Sequence, residues 1–383
     1  MRITRLELKN WRNFQDVDIK LQKRAFLLGP NAAGKSNMLD ALRFMKDLAI
    51  DGGGLQKAVS DRGGVSRIRC LSARRYSDIS ISLDLGDDID CPEWAYRIQF
   101  SQDNRSRPIL KKEEVKRLGK VILNRPDKDD MNDEERLTQT HLEQISANKE
   151  FRDIARQLSE FRYLHIVPQL VRDPDRSVGR ANDPFGGDFL EQLAKTQKNQ
   201  TGTFNSRMKK IHEALKIAVP QLKDLELERD EKGTPHLIGL YEHWRPNAGK
   251  QNESQFSDGT LRLLGLLWAA LEGKGVLLLE EPELSLHSEI VKRIPQMFAR
   301  IARVKNRQII VSSHSTDLMA DSNIAPDEVF LLIPGIEGTV VQCVNENNEI
   351  RALAENGIPL SDIVTAKTAP RSCEQLQLLL DAR

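Results

Sequence analysis

The sequence contains few cysteines and spreads them widely. Cys70, Cys91, Cys343 and Cys373 are the cysteines among 383 residues, and their spacing lacks the close pairs of a zinc site. A small secreted protein held by disulfides would carry a denser set. The spacing therefore excludes both classes and predicts a reducing compartment.

Long apolar runs are also missing. The N-terminus, MRITRLELKNWRNF, carries charges throughout and lacks the uninterrupted apolar core of a signal peptide. No stretch approaches the ~20 apolar residues that a helix needs to cross a bilayer. We therefore expect a cytoplasmic protein without membrane association, and the pattern argues against a transporter with fused membrane spans.

Neither sign of charge is in excess over the whole chain. Lys and Arg number 57 and Asp and Glu number 56, so no global field favours nucleic acid or a membrane. Locally, residues 105–128 combine nine basic with three acidic residues. Two interpretations stay open, a footprint for DNA phosphates or a solvated pair of strands. No aromatic residue lies between the basic residues, so none could stack on the bases of single-stranded DNA. The nine basic residues are Arg105, Arg107, Lys111, Lys112, Lys116, Arg117, Lys120, Arg125 and Lys128.

The first fifty residues predict strands that lead into a helix. Apolar residues alternate over 2–9 and 17–21, which indicates two strands joined by a turn from Asn10 to Phe14. A short apolar strand, 25–28, then runs through a glycine-rich loop into a helix predicted over 37–48.

The middle of the chain predicts an antiparallel β lobe and then helices. Strand patterns cover 79–85, 94–100 and a stretch that ends at 121–123. From about Asp127 to Lys216 the pattern is polar and helical, with the clearest helix over 143–161 and a loop rich in Asp, Pro and Gly over 173–188. Strands and helices alternate again further on, which predicts a parallel sheet with crossover helices; the segments are 225–240, 261–272, 276–280, 288–303 and 307–312.

Residues 29–36 match the phosphate-binding pattern G-x-x-x-x-G-K-[ST], between a predicted strand and a predicted helix. The glycines let backbone N–H groups curl around phosphate oxygens, and the helix N-terminus adds a favourable dipole. In such a loop Lys35 reaches the β and γ phosphates and the Ser36 hydroxyl ligates Mg²⁺. The pattern predicts ATP and Mg²⁺ as ligands, with the nucleotide bound by Gly29, Pro30, Asn31, Ala32, Ala33, Gly34, Lys35, Ser36 and Asn37.

A second apolar strand ends in two carboxylates. Residues 276–279 read Val-Leu-Leu-Leu and are followed by Glu280, Glu281 and Pro282, the arrangement called Walker B. We expect Glu280 to hold the Mg²⁺ shell and Glu281 to orient or deprotonate the attacking water. The usual first residue is Asp, so Glu280 reaches one methylene further toward the metal.

Other segments carry a family resemblance. Residues 256–262, FSDGTLR, resemble the ABC signature, and residues 280–287, EEPELSLH, are similar to a segment of OLD-like and RecF-like ATPases. Residues 309–315, IIVSSHS, resemble the switch-histidine strand of the same proteins, and residues 8–14, LKNWRNF, their first strand and turn. In this order the motifs resemble those of ABC-type ATPases of the RecF, SMC and OLD group.

The resemblance implies an α/β fold, a P-loop NTPase of the ABC-ATPase type with an antiparallel β lobe and an inserted helical region. It implies an ATPase head built from 1–126, which includes the β lobe, and from 221–345, which holds the signature, Walker B and switch histidine. Residues 127–220 would be the helical insertion and 346–383 a short C-terminal tail.

The resemblance also assigns site residues and an assembly. Ser257 and Gly259 would bind the γ-phosphate held by the opposite subunit, so the protein would be a homodimer or a higher homo-oligomer joined through its ATP sites. His314 would contact the γ-phosphate and act in hydrolysis with Glu281.

The roles of three residues, Arg12, Gln169 and His287, each have two interpretations that stay open. Arg12 touches the nucleotide, as in relatives, or is an exposed residue in a salt bridge. Gln169 is the counterpart of the Q-loop glutamine or a polar loop residue. His287 contacts a partner subunit or simply begins a helix.

Nuclease motifs are not evident. Full OLD nucleases add a Toprim domain, whereas about 40 residues follow the last predicted ATPase strand here. Residues 335–338 predict a hairpin turn between strands over 329–333 and 339–344 rather than a Toprim start. We therefore expect an ATPase that acts through DNA or a separate effector protein, as in prokaryotic anti-phage defence systems that it resembles. Two alternatives stay open, a scaffold that holds a toxic effector with little turnover and a RecF-like DNA repair ATPase.

Overall fold

The computed structural model describes residues 1–73, 77–173, 183–245, 249–356 and 358–368. The strands are β1 (Arg2–Trp11), β2 (Phe14–Lys20), β3 (Arg24–Leu28), β4 (Ile79–Gly86), β5 (Trp94–Gln102), β6 (Pro108–Arg117), β7 (Lys120–Arg125), β8 (Arg162–Leu164), β9 (Leu222–Arg229), β10 (Pro235–Tyr241), β11 (Lys250–Asn252), β12 (Leu277–Glu280), β13 (Ile309–Ser313), β14 (Val329–Gly335) and β15 (Gly338–Cys343). The helices are α1 (Lys35–Ala49), α2 (Leu55–Ser60), α3 (Val65–Ile68), α4 (Lys128–Asn132), α5 (Arg152–Ser159), α6 (Pro168–Arg172), α7 (Phe189–Asn199), α8 (Thr201–Ala218), α9 (Asp258–Leu271), α10 (Ser288–Val291), α11 (Ile294–Lys305), α12 (Asn348–Glu355) and α13 (Leu360–Thr368).

A mixed sheet forms the centre of the fold, in the order β15-β14-β3-β13-β12-β8, with β15 antiparallel and the other strands parallel. Its central strands are apolar on both faces because helices cover both. Leu27 and Leu278 pack in the same core as Met38 of α1, whereas Phe26 and Leu279 pack with helix α11 on the opposite face. The parallel strands therefore end at one edge, where the loops carry the site.

The β lobe is a second, antiparallel sheet in the order β2-β1-β4-β5-β6-β7, as the strand patterns predicted. Its apolar face shares a core with α1: Phe44 of α1 lies 5.3 Å from the Trp11 ring and 5.4 Å from the Phe100 ring. The buried amide of Gln308 joins the two sheets, since it bonds to the backbone N–H and C=O of Ile3. The β lobe and the mixed sheet are thus one packed unit.

The helix predicted over 143–161 is much shorter in the structure, where α5 covers Arg152–Ser159. Glu143 explains the difference, because its carboxylate accepts hydrogen bonds from the backbone N–H groups of Leu55 (2.7 Å) and Thr140 (3.0 Å). These tertiary contacts hold the preceding segment in turns. Periodicity alone does not reveal such competition.

The predicted helical region also contains a strand. β8 pairs in parallel with β12 and so extends the mixed sheet at its edge. The predicted loop over 173–188 is described only in part, since residues 174–182 lie outside the described ranges.

Residues 225–240 do not join the parallel sheet. They fall in β9 and β10, which with β11 form a separate antiparallel sheet. The reason is a tight turn in which the Asp230 carboxylate accepts from the N–H groups of Lys232 and Thr234, and Gly233 has a positive φ of 84°. The predicted hairpin of residues 329–344 is confirmed as β14 and β15.

The C-terminal segment, as far as it is described, packs on the mixed sheet. Ile350 of α12 and Ile363 of α13 lie in the same core as Phe298 of α11. The predicted tail residues 369–383 lie outside the described residues. Within the described ranges, no helix is both long and apolar enough to span a bilayer.

Candidate functional site

The phosphate-binding loop follows β3 and ends where α1 begins. Ala32 and Gly34 adopt left-handed backbone conformations, with φ of 63° and 96°. A Cβ atom at Gly34 would lie 2.1 Å from the amide nitrogen of Asn13, so the close approach of the β1–β2 turn requires glycine at this position. The N-terminus of α1 has no side-chain cap among the described residues, which leaves its backbone N–H groups to the loop and a ligand.

Lys35 is buried beneath the loop. Its ammonium donates to the carbonyl oxygens of Gly29 (2.8 Å) and Pro30 (3.0 Å). Burial lowers the pKa of Lys35, although the nearby carboxylates of Glu281, Glu283 and Glu280 act in the opposite direction. The cation thus lies among the acidic side chains of the Walker B segment.

Asn13 is a contact of the loop that the sequence did not predict. Its amide donates to Ala33 O (3.0 Å) and to Thr339 Oγ1 of β15 (2.7 Å), and it accepts from Asn37 Nδ2 of α1 (2.8 Å). The β1–β2 turn and β15 therefore hold the loop from outside. In the sequence, residues 8–14 carry only the family resemblance, which gives this amide no role.

Glu280 and Ser36, the two residues predicted to bind Mg²⁺, lie in contact. The Ser36 hydroxyl and the Tyr163 hydroxyl each donate to one carboxylate oxygen of Glu280. A hydroxyl and a carboxylate in contact are the oxygen donors that Mg²⁺ accepts, so the residues present fit the ion. Burial, the charge of Glu280 and this hydrogen bond raise the pKa of Tyr163, which keeps its hydroxyl a donor.

Glu281 and His314 form a second pair at the ends of β12 and β13. The distance from Glu281 Oε1 to His314 Nδ1 is 3.1 Å. Glu281 has a positive φ of 45°, an uncommon conformation for this residue. Its backbone N–H donates to Ser312 O (2.9 Å) and holds the strained position. The carboxylate of Glu281 therefore faces His314, whereas that of Glu280 faces Ser36.

Glu283 is buried. In the sequence it belongs to the segment 280–287, but the sequence predicts no role for it. Its carboxylate accepts from the Ser313 hydroxyl, and Ser313 Oγ accepts from the N–H of Ser315 (2.9 Å). Burial raises the pKa of Glu283. This side chain ties the loop after β12 to the end of β13, next to His314.

The signature residues begin helix α9. Ser257 is exposed and caps the helix by accepting from the N–H of Thr260 (3.1 Å). A Cβ atom at Gly259 would lie 2.5 Å from Ser285 O, so the signature packs closely on the loop after β12. Arg172 of α6 fixes this helix end with bonds to Phe256 O (2.7 Å) and Asp258 Oδ1 (2.6 Å).

The structure gives the positions of Arg12, Gln169 and His287, the three residues that have two interpretations each. Arg12 is half-buried rather than exposed and donates to Asp40 Oδ2 of α1 (3.2 Å), and its contact with the nucleotide stays a prediction. Gln169 is exposed on the short helix α6. His287 is exposed and caps α10 by accepting from the N–H of Glu289 (3.2 Å).

The basic stretch 105–128 is largely paired with acids. Five of its nine cations have carboxylate partners within 4 Å, and one of them, Arg125, is completely buried between Glu113 (3.0 Å) and Asp130 (2.8 Å). This pattern favours paired strands over a phosphate footprint. The other pairs are Arg107 with Asp103 and Glu135, Lys112 and Lys116 with Glu114, and Arg117 with Glu93.

Comparison with known protein families shows which family this chain belongs to. Residues 24–320 match the family described as "AAA domain, putative AbiEii toxin, Type IV TA system". The chain belongs to this family. Residues 1–46 also match a family described as "AAA domain". The match over 24–320 therefore includes residues 29–36, 256–262, 280–287 and 309–315.

Individual relatives agree with the family. The chain is 22% identical over 349 residues to a protein named Endonuclease GajA from Bacillus cereus (strain VD045), and it spans 56% of that protein's length. In fold it is similar to a crystal structure of an SMC head bound to the C-terminal winged-helix domain of ScpA, with a TM-score of 0.55 and 15% identity over 89% of this chain and 97% of that one. The resemblance to RecF, SMC and OLD-like ATPases is confirmed, and so is the ABC-type P-loop fold.

Proposed function

We propose that this chain binds and hydrolyses ATP with Mg²⁺ in a site that is completed by a second copy. The observation that carries the proposal is the meeting of three strand ends. The loop after β3 supplies Lys35 and Ser36, the end of β12 supplies Glu280 and Glu281, and the end of β13 is followed by His314.

Each group has a task that its position allows. The amides of the P-loop and Lys35 hold the phosphates, while Ser36 and Glu280 would hold Mg²⁺, which would neutralise phosphate charge. Glu281 orients and deprotonates the attacking water. His314, hydrogen-bonded to Glu281, contacts the γ-phosphate and reports its loss.

The second copy supplies the signature. Ser257 is exposed at the N-terminus of α9, a helix of 14 residues, and such an end binds anions. The packing of Gly259 on the loop after β12 links this end to Glu281 of its own chain. We infer that ATP joins the P-loop of one subunit to the signature of the other, so that the nucleotide state controls dimerisation.

Replacing Lys35 with Ala tests the binding half of the proposal. Loss of a buried charged donor is expected to weaken ATP binding by roughly tenfold to a hundredfold. The measurement is titration of a fluorescent ATP analogue, with Lys20→Ala as the matched control because Lys20 lies exposed on β2. Equal affinities for Lys35→Ala and the parent chain would remove Lys35 from the site.

We further infer that the output passes to DNA or to an effector protein, in anti-phage defence. The family description names a putative toxin of a Type IV TA system and the relative GajA is named an endonuclease, which supports an output that reaches nucleic acid or a toxic partner. The helices between Asp127 and Lys216 form the surface we assign to the effector. A partner that prefers one nucleotide state of the dimer would be held or released as ATP is turned over.

The chain by itself is expected to leave nucleic acid intact. The carboxylates that follow β12 are engaged at the proposed ATP site, Glu280 by Ser36, Glu281 by His314 and Glu283 by Ser313. Pure protein is incubated with ATP, Mg²⁺ or Mn²⁺, and plasmid, single-stranded DNA or RNA. Cleavage that disappears in Glu281→Gln protein would contradict this expectation and assign the nuclease to this chain.

A further inference from the structure

We propose that Tyr163 is a positioning residue that orients Glu280 toward the metal. Its hydroxyl donates to one carboxylate oxygen of Glu280, while the other oxygen accepts from Ser36. The inference rests on the proposed ATP and Mg²⁺ site and assigns to it a residue from the predicted helical insertion.

The sheet register explains why Tyr163 reaches this carboxylate. β8 pairs in parallel with β12, and Tyr163 lies opposite Leu278. Side chains two residues apart on a strand point to the same face, so Glu280 follows Leu278 on the face that Tyr163 shares. A phenol ring is long enough to cover this offset along the sheet.

The ring of Tyr163 is held in place from its other side. The guanidinium of Arg43, on α1, lies 4.3 Å from the ring centroid, within the range of a favourable cation–π contact. On the same strand end, His165 Nδ1 lies 3.2 Å from the backbone oxygen of Glu280. Tyr163 is thus fixed between the P-loop helix and the Walker B strand, with its hydroxyl directed at Glu280.

The contact with Tyr163 matters because Glu280 has a longer side chain than the usual aspartate. A glutamate has one more rotatable bond than the aspartate usual at this position, and holding it in one rotamer costs conformational entropy. The Tyr163 hydroxyl restricts the rotation of the Glu280 side chain by bonding to one carboxylate oxygen, and the other oxygen then lies beside Ser36. Tyr163 therefore supplies the preorganisation that a shorter side chain would not need.

Tyr163→Phe tests the proposal because it removes the hydroxyl and keeps the ring on Arg43. ATP binding is measured by calorimetry in a Glu281→Gln background, with Mg²⁺ and with EDTA, so that hydrolysis does not interfere. We expect the factor by which Mg²⁺ tightens ATP binding to fall about tenfold. Binding in EDTA should stay within about twofold, since the phosphate loop is untouched. Tyr241→Phe is the control, because Tyr241 lies on β10 of the separate sheet.

A double-mutant cycle separates positioning from simple packing. Glu280→Asp shortens the carboxylate by one methylene and takes it out of reach of Tyr163. In that background the Tyr163→Phe substitution should have no further effect on the Mg²⁺ factor. An equal loss in both backgrounds would mean that the hydroxyl does not act through Glu280.

Other outcomes also overturn the inference. An unchanged Mg²⁺ factor in Tyr163→Phe protein contradicts it while leaving the ATP site intact. A loss of binding that is the same with Mg²⁺ and with EDTA assigns Tyr163 a structural role only. If the parent chain with Glu281→Gln alone binds no ATP, the proposed function itself fails, and this inference fails with it.

Discussion

Glu281→Gln protein is expected to bind ATP and to turn it over about 10²–10⁴ times more slowly than the parent chain. The amide keeps the size of the side chain but cannot take a proton from water. Lys35, Ser36 and the loop glycines are unchanged, so the phosphate cradle persists. Because His314 Nδ1 contacts Glu281 Oε1 at 3.1 Å, the substitution also removes the charge that this histidine faces.

The measurement is phosphate release at saturating ATP together with nucleotide affinity. Glu231→Gln is the matched control, since Glu231 is exposed in the β9–β10 turn away from the mixed sheet. If Glu281→Gln protein retains turnover within about threefold of the parent, Glu281 has no part in the chemistry.

Mixing two inactive proteins is expected to restore activity. Lys35→Ala disables a P-loop, and Ser257→Arg places a large cation at the exposed N-terminus of α9. In a mixed dimer one site is built from the intact P-loop of one chain and the intact signature of the other. With random exchange, half of the dimers are mixed and each has one intact site of two, so about a quarter of the parent activity should return.

The control for this experiment is a chain that carries both substitutions. Lys35→Ala protein mixed with the Lys35→Ala/Ser257→Arg chain has no intact P-loop and should remain inactive. Differently tagged chains show by co-purification that mixed dimers form. Mixed dimers without recovered turnover would refute the shared site.

Where sequence and structure agree, short-range chemistry is the reason. The loop over 29–36 needs its glycines, lysine and serine in adjacent positions, so the motif is complete in eight residues. The strands before it and before Glu280 are apolar because helices cover both faces of the mixed sheet. Such signals are visible without any knowledge of the tertiary fold.

Where they differ, distant contacts outweighed local pattern. Residues 143–148 have a helical pattern, yet Glu143 bonds to the backbone N–H of Leu55, 88 residues away. A local bond from the N–H of Thr140 helps to hold the segment in turns. β8 is a short strand in a helical context, and it exists because β12 offers an edge to pair with. A strand of three residues has too little sequence to predict its own pairing.

The sequence alone predicts a nucleotide site, because residues 29–36, 256–262, 280–287 and 309–315 are contiguous motifs whose residue types suit phosphate and Mg²⁺. The tertiary structure shows which other side chains contact the predicted site residues. Tyr163 meets Glu280 across 117 residues of sequence and Asn13 meets Thr339 across 326. Strand order and register set these meetings, and both arise from burial of the shared cores rather than from any local pattern.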